Sequence, residues 1–476
     1  MVRRTRRAAL LTLAMINVFT LAAGIATSRM LPPRLAALRV ESVAASPVSG
    51  PGTVLAAGTG RGVLPTASGL RSALAGPLSA AALGPAVSAL VADPATGQVL
   101  LSEQGSRLDT PASTAKLATS AAALAVLGPG ARFRTRVVRG ATADSVVLVG
   151  GGDPTLAVNA YPAQDYPAPA TLANLAAATA RALKAQRRRT VSVGYDASLF
   201  TGPPLAPGWP ESYVSTGNVT PIVALEVDQG RLTAAGTPED SDDPYNLRPR
   251  ATDPAAMAAA SFARLLAADG IGVTGTPVAQ TARPHAAALA SVSSPPLSAI
   301  VQQMLTESNN VIAENLARQV ALATGEPASF SGAAAAVISE LRRLGVSTGI
   351  RLVDGSGLSG QDAIAPVTLV KVVELAIAAP RIRSLLAGLP VAGFSGTLSA
   401  GQSVFSGIGG AALGSVRAKT GNLGTVTALA GVVSDQNGTM LVFALMADRI
   451  PAEGMLDAAA SDLDKAATAL AGCGCR

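Results

Sequence analysis

The sequence predicts an α/β (α+β) domain with an antiparallel sheet flanked by helices and interrupted by an inserted β-rich region. Three observations predict it. Two apolar runs bracket a turn signal near each end of the body, in "AVSALVADPATGQVLLSEQ" (86–104) and "TVTALAGVVSDQNGTMLVFALMAD" (425–448). They read as hairpins turning at Pro94 to Gly97 and at Asn437-Gly438. Helical periodicity surrounds them, in "LSAIVQQMLTESNNVIAENLARQVALAT" (297–324), "SGAAAAVISELRRLG" (331–345) and "PVTLVKVVELAIAAP" (366–380). Between about 135 and 285 the chain turns instead to short strands and proline-rich loops, as in "SVVLVGGGDPTL" and "RTVSVGYDASLF".

Taken in order, the first segment has Arg3, Arg4, Arg6 and Arg7 ahead of the uncharged apolar stretch "AALLTLAMINVFTLAAGIATS" (8–28). That pattern is an export signal. It is also just long enough to span a bilayer, so residues 1–28 read as a cleaved signal or a retained anchor, with the body exported to the extracytoplasmic side. Residues 29–80, rich in Pro, Gly, Ala and Ser without a period, read as a linker. One α/β domain then spans 81–135 and 286–476, split by the insertion at 136–285. "TPASTAKLATSAAALAVLG" begins a helix, with Thr110 as a candidate N-cap and Pro111 in the first turn. An amphipathic helix at about 452–471 closes the body.

Composition narrows function. The 476 residues are 49% apolar and 14% charged, which describes a folded body of more than one domain. The net charge is +7 and the pI about 9.8, yet four of the arginines lie in the leader and aromatics make up only 3%, so a nucleic-acid partner is not expected. Cys473 and Cys475 read as a terminal oddity, too close for a comfortable disulfide and too few for a metal site. No cofactor is expected.

Of 37 basic residues only five are lysines: Lys116, Lys184, Lys371, Lys419 and Lys465. Arginine stays protonated, whereas a lysine amine can be driven toward neutrality and act as a base. In "PASTAKL", Ser113 and Lys116 stand three apart on one helical face, near an N-terminus whose partial charge favours an oxyanion. Alone the pair also fits an ordinary first helical turn. "TESNNVIAEN" adds Ser308 and Asn310, which alone fit a helix cap, and "SVRAKTGNL" adds Lys419, Thr420, Gly421 and Asn422 at a strand end. The single histidine, His285, sits in the proline-flanked "TARPHAAAL", which leaves a Ser-His-Asp triad little to rest on.

In this order S-x-x-K, S-x-N and K-T-G resemble the constellation of the penicillin-binding proteins and serine β-lactamases. The wide gap between Ser113 and Ser308 makes the chain similar to the three-domain class C D-alanyl-D-alanine carboxypeptidases, in which further domains interrupt the penicillin-binding domain. "GGDPTL" (151–156), "YDASLF" (195–200), "DGSGLS" (354–359) and "LPVAGFSGTL" (389–398) carry the same resemblance. It implies a serine D-Ala-D-Ala carboxypeptidase, with endopeptidase action as a second outcome, working on peptidoglycan stem peptides through a Ser113 acyl-enzyme and acylated by β-lactams. It further implies Lys116 as base, Ser308 and Asn310 as proton relay and positioning group, and Lys419, Thr420, Gly421 and Asn422 as the substrate-binding strand. Asp153 matches an aspartate that lies near a diamino-acid amine in related enzymes, while Gly360 stands where members often carry arginine. A β-lactamase and a catalytically silent cell-wall-peptide binder are the alternatives. The former lacks a convincing E-x-x-L-N element here.

Overall fold

The two hairpins, far apart in sequence, lie side by side in one sheet. The computed structural model describes residues 63–160, 167–232, 248–400 and 410–475, which fall within a unit running from Ala57 to Arg476; the candidate signal lies outside the described residues. Strands β1 (Val87–Asp93) and β2 (Gln98–Glu103) turn where the Asp93 carboxylate accepts from the Ala95 N–H and the Thr96 hydroxyl, with Gly97 at φ +74°. At the other end, past the short antiparallel pair β9 (Ile350–Arg351) and β10 (Ala363–Ile364), come β11 (Val416–Leu423), β12 (Val426–Ser434) and β13 (Met440–Ala447). Asp435 closes the β12–β13 turn by accepting the Asn437 and Thr439 N–H groups, and Gly438 takes φ +76°. The five strands run antiparallel in the order β11-β12-β13-β1-β2, with Val91 opposite Phe443.

Both faces of this sheet are covered. On one lie α2 (Ala115–Leu127), α5 (Leu297–Thr306), α6 (Asn310–Thr324), α7 (Phe330–Arg343) and α8 (Pro366–Ala378). Helix α2 is central because its small residues bury on every side: Ala115, Ala118, Ala121, Ala122 and Ala123 are all within 1% of full burial. On the other face lie α1 (Ala67–Leu78) and α9 (Leu456–Ala471).

Helix α1 corrects the linker boundary. Thr66 caps it by accepting the Gly69 N–H, and Leu70 and Leu74, one turn apart, sink into the core, so folded structure begins well before residue 80. Its short apolar stripe is masked in sequence by the Ala, Gly and Pro around it. The cysteines are a second correction: Cys473 and Cys475 are joined in a disulfide, with a Cα separation of 5.0 Å, inside the ordinary range.

The inserted segment builds a second sheet from β3 (Arg134–Arg139), β4 (Ser145–Val149), β5 (Thr190–Asp196), β6 (Gly272–Val273), β7 (Val278–Ala279) and β8 (Ala288–Ser293). Beyond the strands it carries two helices that a strand-and-turn reading passes over, α3 (Leu172–Ala185) and α4 (Pro254–Ala268). Leu172, Leu175, Ala176, Ala180 and Leu183 form the buried stripe of α3, which crosses over between the parallel strands β4 and β5. The stretch from Phe200 to Ala224 leaves this layer and packs Phe200, Trp209, Val219 and Ile222 against Val311 of α6 and Phe330 of α7. Among the described residues no helix is long and apolar enough to cross a membrane.

Candidate active site

Ser113 sits in a tight turn that precedes α2. Residues Ala112–Thr114 form a single 3-10 turn, and the Thr114 hydroxyl donates to the Pro111 carbonyl at 2.6 Å, so Pro111 and Thr114, not Thr110, organise the helix start. Ala112 takes φ +44°, a conformation that costs an alanine on the order of 1–3 kcal/mol and that surrounding contacts must impose. Two glycines supply those contacts. A Cβ on Gly357, whose φ is +83°, would stand 1.9 Å from the Ala112 carbonyl oxygen, and a Cβ on Gly421 would stand 2.6 Å from that of Pro111. The "DGSGLS" loop and the K-T-G strand therefore close on the serine turn by backbone contact that no side chain would permit.

Lys116, one turn along, points at three oxygens. Its Nζ donates to Ser113 Oγ at 2.8 Å, to Asn310 Oδ1 at 2.7 Å and to the Ser356 carbonyl at 2.8 Å. The side chain is wholly buried, and burial pushes its amine down to about 7 even though Asp354, Glu314 and Asp362 pull the other way. Near neutral pH a large fraction of this amine is therefore uncharged and can take a proton from the hydroxyl it touches.

Those three carboxyls are themselves buried behind the lysine. Asp354 is saturated: it accepts the N–H groups of Ser356, Gly357 and Ser359 and the Trp209 indole N–H at 2.8 Å. Glu314, one turn beyond Asn310 on α6, accepts the Gly355 and Ser356 N–H groups. Asp362 accepts the Val353 N–H. Burial and the neighbouring Asp354 charge raise the carboxyls of Glu314 and Asp362 well above their ordinary range. The resulting frame fixes the Ser356 carbonyl that receives Lys116.

The second hydroxyl–amine pair faces the first. Lys419 Nζ on β11 donates to Ser308 Oγ and to the Thr420 carbonyl, each at 2.8 Å. It is fully buried, and burial together with the Lys116 charge lowers its amine well below the usual value. Ser308 adopts φ +57° between α5 and α6, where Asn309 caps α6 by accepting the Ile312 N–H. Asn310 completes the group: its Nδ2 donates to the Asn218 carbonyl of the insertion at 2.9 Å, which leaves Oδ1 aimed at Lys116. Thr420 Oγ1 lies 2.8 Å from Thr397 Oγ1, and exposed Asn422 accepts the Thr427 hydroxyl.

The structure thus brings Ser113, Lys116, Asn310, Ser308, Lys419, Thr420 and Gly421 to one place, with Asn422 next along the strand. Asp153 stands apart from that hydrogen-bonded set: it is buried, its Oδ1 takes the N–H and hydroxyl of Thr155, and burial raises it to about 6. His285 lies on an exposed loop. Gly360 opens on empty space, with nothing within 4 Å of a Cβ built there. Sequence reasoning placed Asp354, Ser356 and Thr397 in quoted motifs without a role for any of them, and missed Glu314, Asp362 and Asn218. Glu314, at i+4 from Asn310, was findable from helical spacing; the Asn218 carbonyl carries no sequence signal. Among the described residues no cluster of three His, Cys, Asp or Glu is placed to hold a metal ion.

Comparison with known proteins agrees with this geometry. The family model "D-Ala-D-Ala carboxypeptidase 3 (S13) family" matches residues 70–248 and 232–470. Carboxypeptidase DacB of Mycolicibacterium smegmatis is 37% identical over 417 residues, covering 86% of this chain and 85% of its own. A D-alanyl-D-alanine carboxypeptidase of Actinomadura sp. is 31% identical over 418 residues, covering 74% and 76%. Among solved structures, penicillin binding protein 4 of Haemophilus influenzae superposes with a TM-score of 0.66 at 23% identity, over 81% of this chain and 94% of its own, and so shares the fold. With two lysine–serine pairs, a K-T-G strand and this likeness along most of its length, the chain belongs to the D-Ala-D-Ala carboxypeptidase 3 (S13) family.

Proposed function

We propose that this chain is a serine D-alanyl-D-alanine carboxypeptidase acting on peptidoglycan stem peptides through a Ser113 acyl-enzyme, and that β-lactams acylate the same serine. The observation that carries the reading is the 2.8 Å bond between Ser113 Oγ and a buried Lys116 amine held near neutrality. Ser113 Oγ attacks the carbonyl carbon between the two D-alanines and its proton passes to Lys116. The N–H groups of Ser113 and Asn422 hold the oxyanion, a contribution on the order of 3–4 kcal/mol for a donor of this kind. Collapse breaks the C–N bond, and Ser308, itself bonded to Lys419, relays to the departing amine the proton that Lys116 took up. Lys419 and Thr420 receive the terminal carboxylate, a favourable use of a buried amine once an anion arrives. Water then attacks the ester by the same path in reverse, releasing the shortened peptide and returning the proton to Ser113.

The substrate and the leader segment support an extracytoplasmic location, with membrane attachment if residues 1–28 are retained. The carbonyl chemistry is tested by intact-mass spectrometry of residues 29–476, wild type beside Ser113→Ala, after benzylpenicillin and after a peptide ending in D-Ala-D-Ala. A long-lived penicilloyl adduct absent from the variant, with release of one D-alanine, is expected. Fast penicillin hydrolysis would indicate a β-lactamase, and neither adduct nor turnover would leave a binding protein.

A further inference from the structure

Helix α6 touches the inserted layer through a row of side-chain amides and one guanidinium, all donating in the same direction. Asn309 Nδ2 gives to Gln229 Oε1 at 2.8 Å, Asn310 Nδ2 to the Asn218 carbonyl at 2.9 Å, Asn315 Nδ2 to Glu226 Oε1 at 3.0 Å, Arg318 Nη1 to the Thr201 carbonyl at 3.1 Å and Gln319 Nε2 to the Gly151 carbonyl at 2.8 Å. The first two contacts lie at the mouth of the site, and both acceptors belong to loops with unusual backbones. Gly217, next to Asn218, takes φ +87°, while Asp228 and Gln229 take φ +49° and +54° in succession. Two consecutive non-glycine residues in the left-handed region do not stay there unless something holds them.

One side chain holds both loops. Arg250, 7% exposed, donates from Nε at 3.0 Å and Nη2 at 2.9 Å to the Gly217 carbonyl, and from Nη1 at 3.1 Å to the Gln229 carbonyl. The loops also press on one another, since a Cβ on Gly230 would stand 2.3 Å from Thr220 Oγ1. A planar guanidinium can bridge two carbonyls in fixed relation; a lysine ammonium cannot reproduce the fork.

We infer that Arg250 is a positioning residue of the reaction: by tying the Gly217 and Gln229 carbonyls together it fixes the Asn218 carbonyl that selects the amide orientation of Asn310, and so keeps Asn310 Oδ1 aimed at Lys116. An amide presents an acceptor on one side and donors on the other. With the Asn218 carbonyl in place, the NH2 side is claimed and the oxygen must face Lys116 Nζ. With that carbonyl displaced, the amide is free to turn its NH2 toward the amine, and Lys116 loses one of its three acceptors. Losing an acceptor disfavours the ammonium, so the amine titrates at lower pH. The inserted layer thereby becomes part of the apparatus that sets the base.

The inference rests on the proposed role of Lys116, and two readouts separate the two. Only five lysines occur, so 13Cε-lysine NMR can follow Lys116 directly, independently of any activity. In folded Arg250→Met, verified by its circular dichroism, the Lys116 midpoint is expected to fall by about half a pH unit or more. The rate of benzylpenicillin acylation is expected to fall about tenfold, with its acid limb displaced in the same direction. In an Asn310→Ala background the Arg250→Met change should add almost nothing to the rate loss, because both act through one amide. Arg250→Lys, which keeps the charge without the fork and is the milder change should Arg250→Met not fold, is expected to lie between wild type and Met in both readings. An unmoved Lys116 titration in a folded Arg250 variant, or fully additive rate losses, overturns the inference. Absence of acylation in the wild type would instead overturn the reading of function while leaving the lysine titration to judge Arg250.

Discussion

Gly421 offers the sharpest test of how the site is assembled. Its φ lies outside the left-handed region, so alanine is conformationally acceptable there, and whatever Gly421→Ala does must come from the added methyl. That methyl would stand 2.6 Å from the Pro111 carbonyl oxygen and 3.1 Å from the backbone nitrogens of Ser113 and Thr114. An ordinary carbon–oxygen contact is about 3.5 Å, so β11 and the serine turn must separate by the better part of an ångström. All three clashing atoms are backbone, which leaves no side chain to yield. Overpacking of this size costs about 1–3 kcal/mol of stability. The kinetic cost is larger, because the gap opens between the two N–H groups proposed to hold the oxyanion: a misplacement near 1 Å lowers rates about 100-fold. The assay is the second-order rate of benzylpenicillin acylation by intact mass, run beside a denaturant melt. Gly454→Ala serves as control, since nothing lies within 4 Å of a Cβ there. Acylation of Gly421→Ala within a factor of about two of wild type would refute the claim that this close approach builds the site, because a uniform-binding change of that size is under 0.5 kcal/mol.

Four further outcomes follow from the same geometry. Acylation should decline as pH drops below about 7, because the folded-state amine of Lys116, lowered from 10.5 to about 7 by burial, then regains its proton; a pH–rate profile flat from 5 to 8 would exclude Lys116 as the base. The same depression means that the unfolded chain binds this proton more tightly, so Lys116 disfavours the fold below pH 7 and that penalty is relieved between pH 7 and 10.5, which urea melts of wild type against Lys116→Met across that window can follow. Ser308→Ala should slow release of D-alanine by about 100-fold or more, the scale of a lost proton-transfer group, and its peptide turnover decides the matter. Trp209→Phe keeps a ring against Phe330 but strips the buried Asp354 carboxylate of one donor, so a loss of about 1–3 kcal/mol is expected in the denaturant midpoint.

What could be read beforehand depended on how local the signal was. Both hairpins were legible because aspartate and glycine sit at their turns between short, almost unbroken apolar runs, the pattern of strands covered on both faces. The site was legible as three short motifs, since each functional group lies within a few residues of another along the chain: Ser113 with Lys116, Ser308 with Asn310, Lys419 with Gly421. Helices α1, α3 and α4 were obscured by alanine, which fills a buried stripe without advertising it. The carboxyl frame behind Lys116 was legible only as separate pieces, a helical spacing for Glu314 and a motif for Asp354, and its assembly was not. Asp354 and Asp362 meet Glu314 only through a fold that brings a loop onto α6, and the acceptors that matter most, the carbonyls of Ser356 and Asn218, belong to the backbone and leave no trace in residue identity. Asp153 shows the converse: a motif match located a residue that the fold buries against Thr155.

The pairing of β1 with β13 also has a consequence for how the molecule comes into being. A chain made from its N-terminus presents Ser113 and Lys116 early, but the strand that carries Lys419 and the strand that must pair with β1 follow more than 300 residues later. The central sheet is thus a contact of very long sequence separation, slow to close and impossible before the late hairpin exists. The inserted layer has its own apolar core and strands β3 to β8, so it can consolidate in the interval. Strand β11, which carries Lys419, is joined to β1 only through β12 and β13, so the strand that would receive a substrate takes its place in the sheet only once β13 has paired with β1.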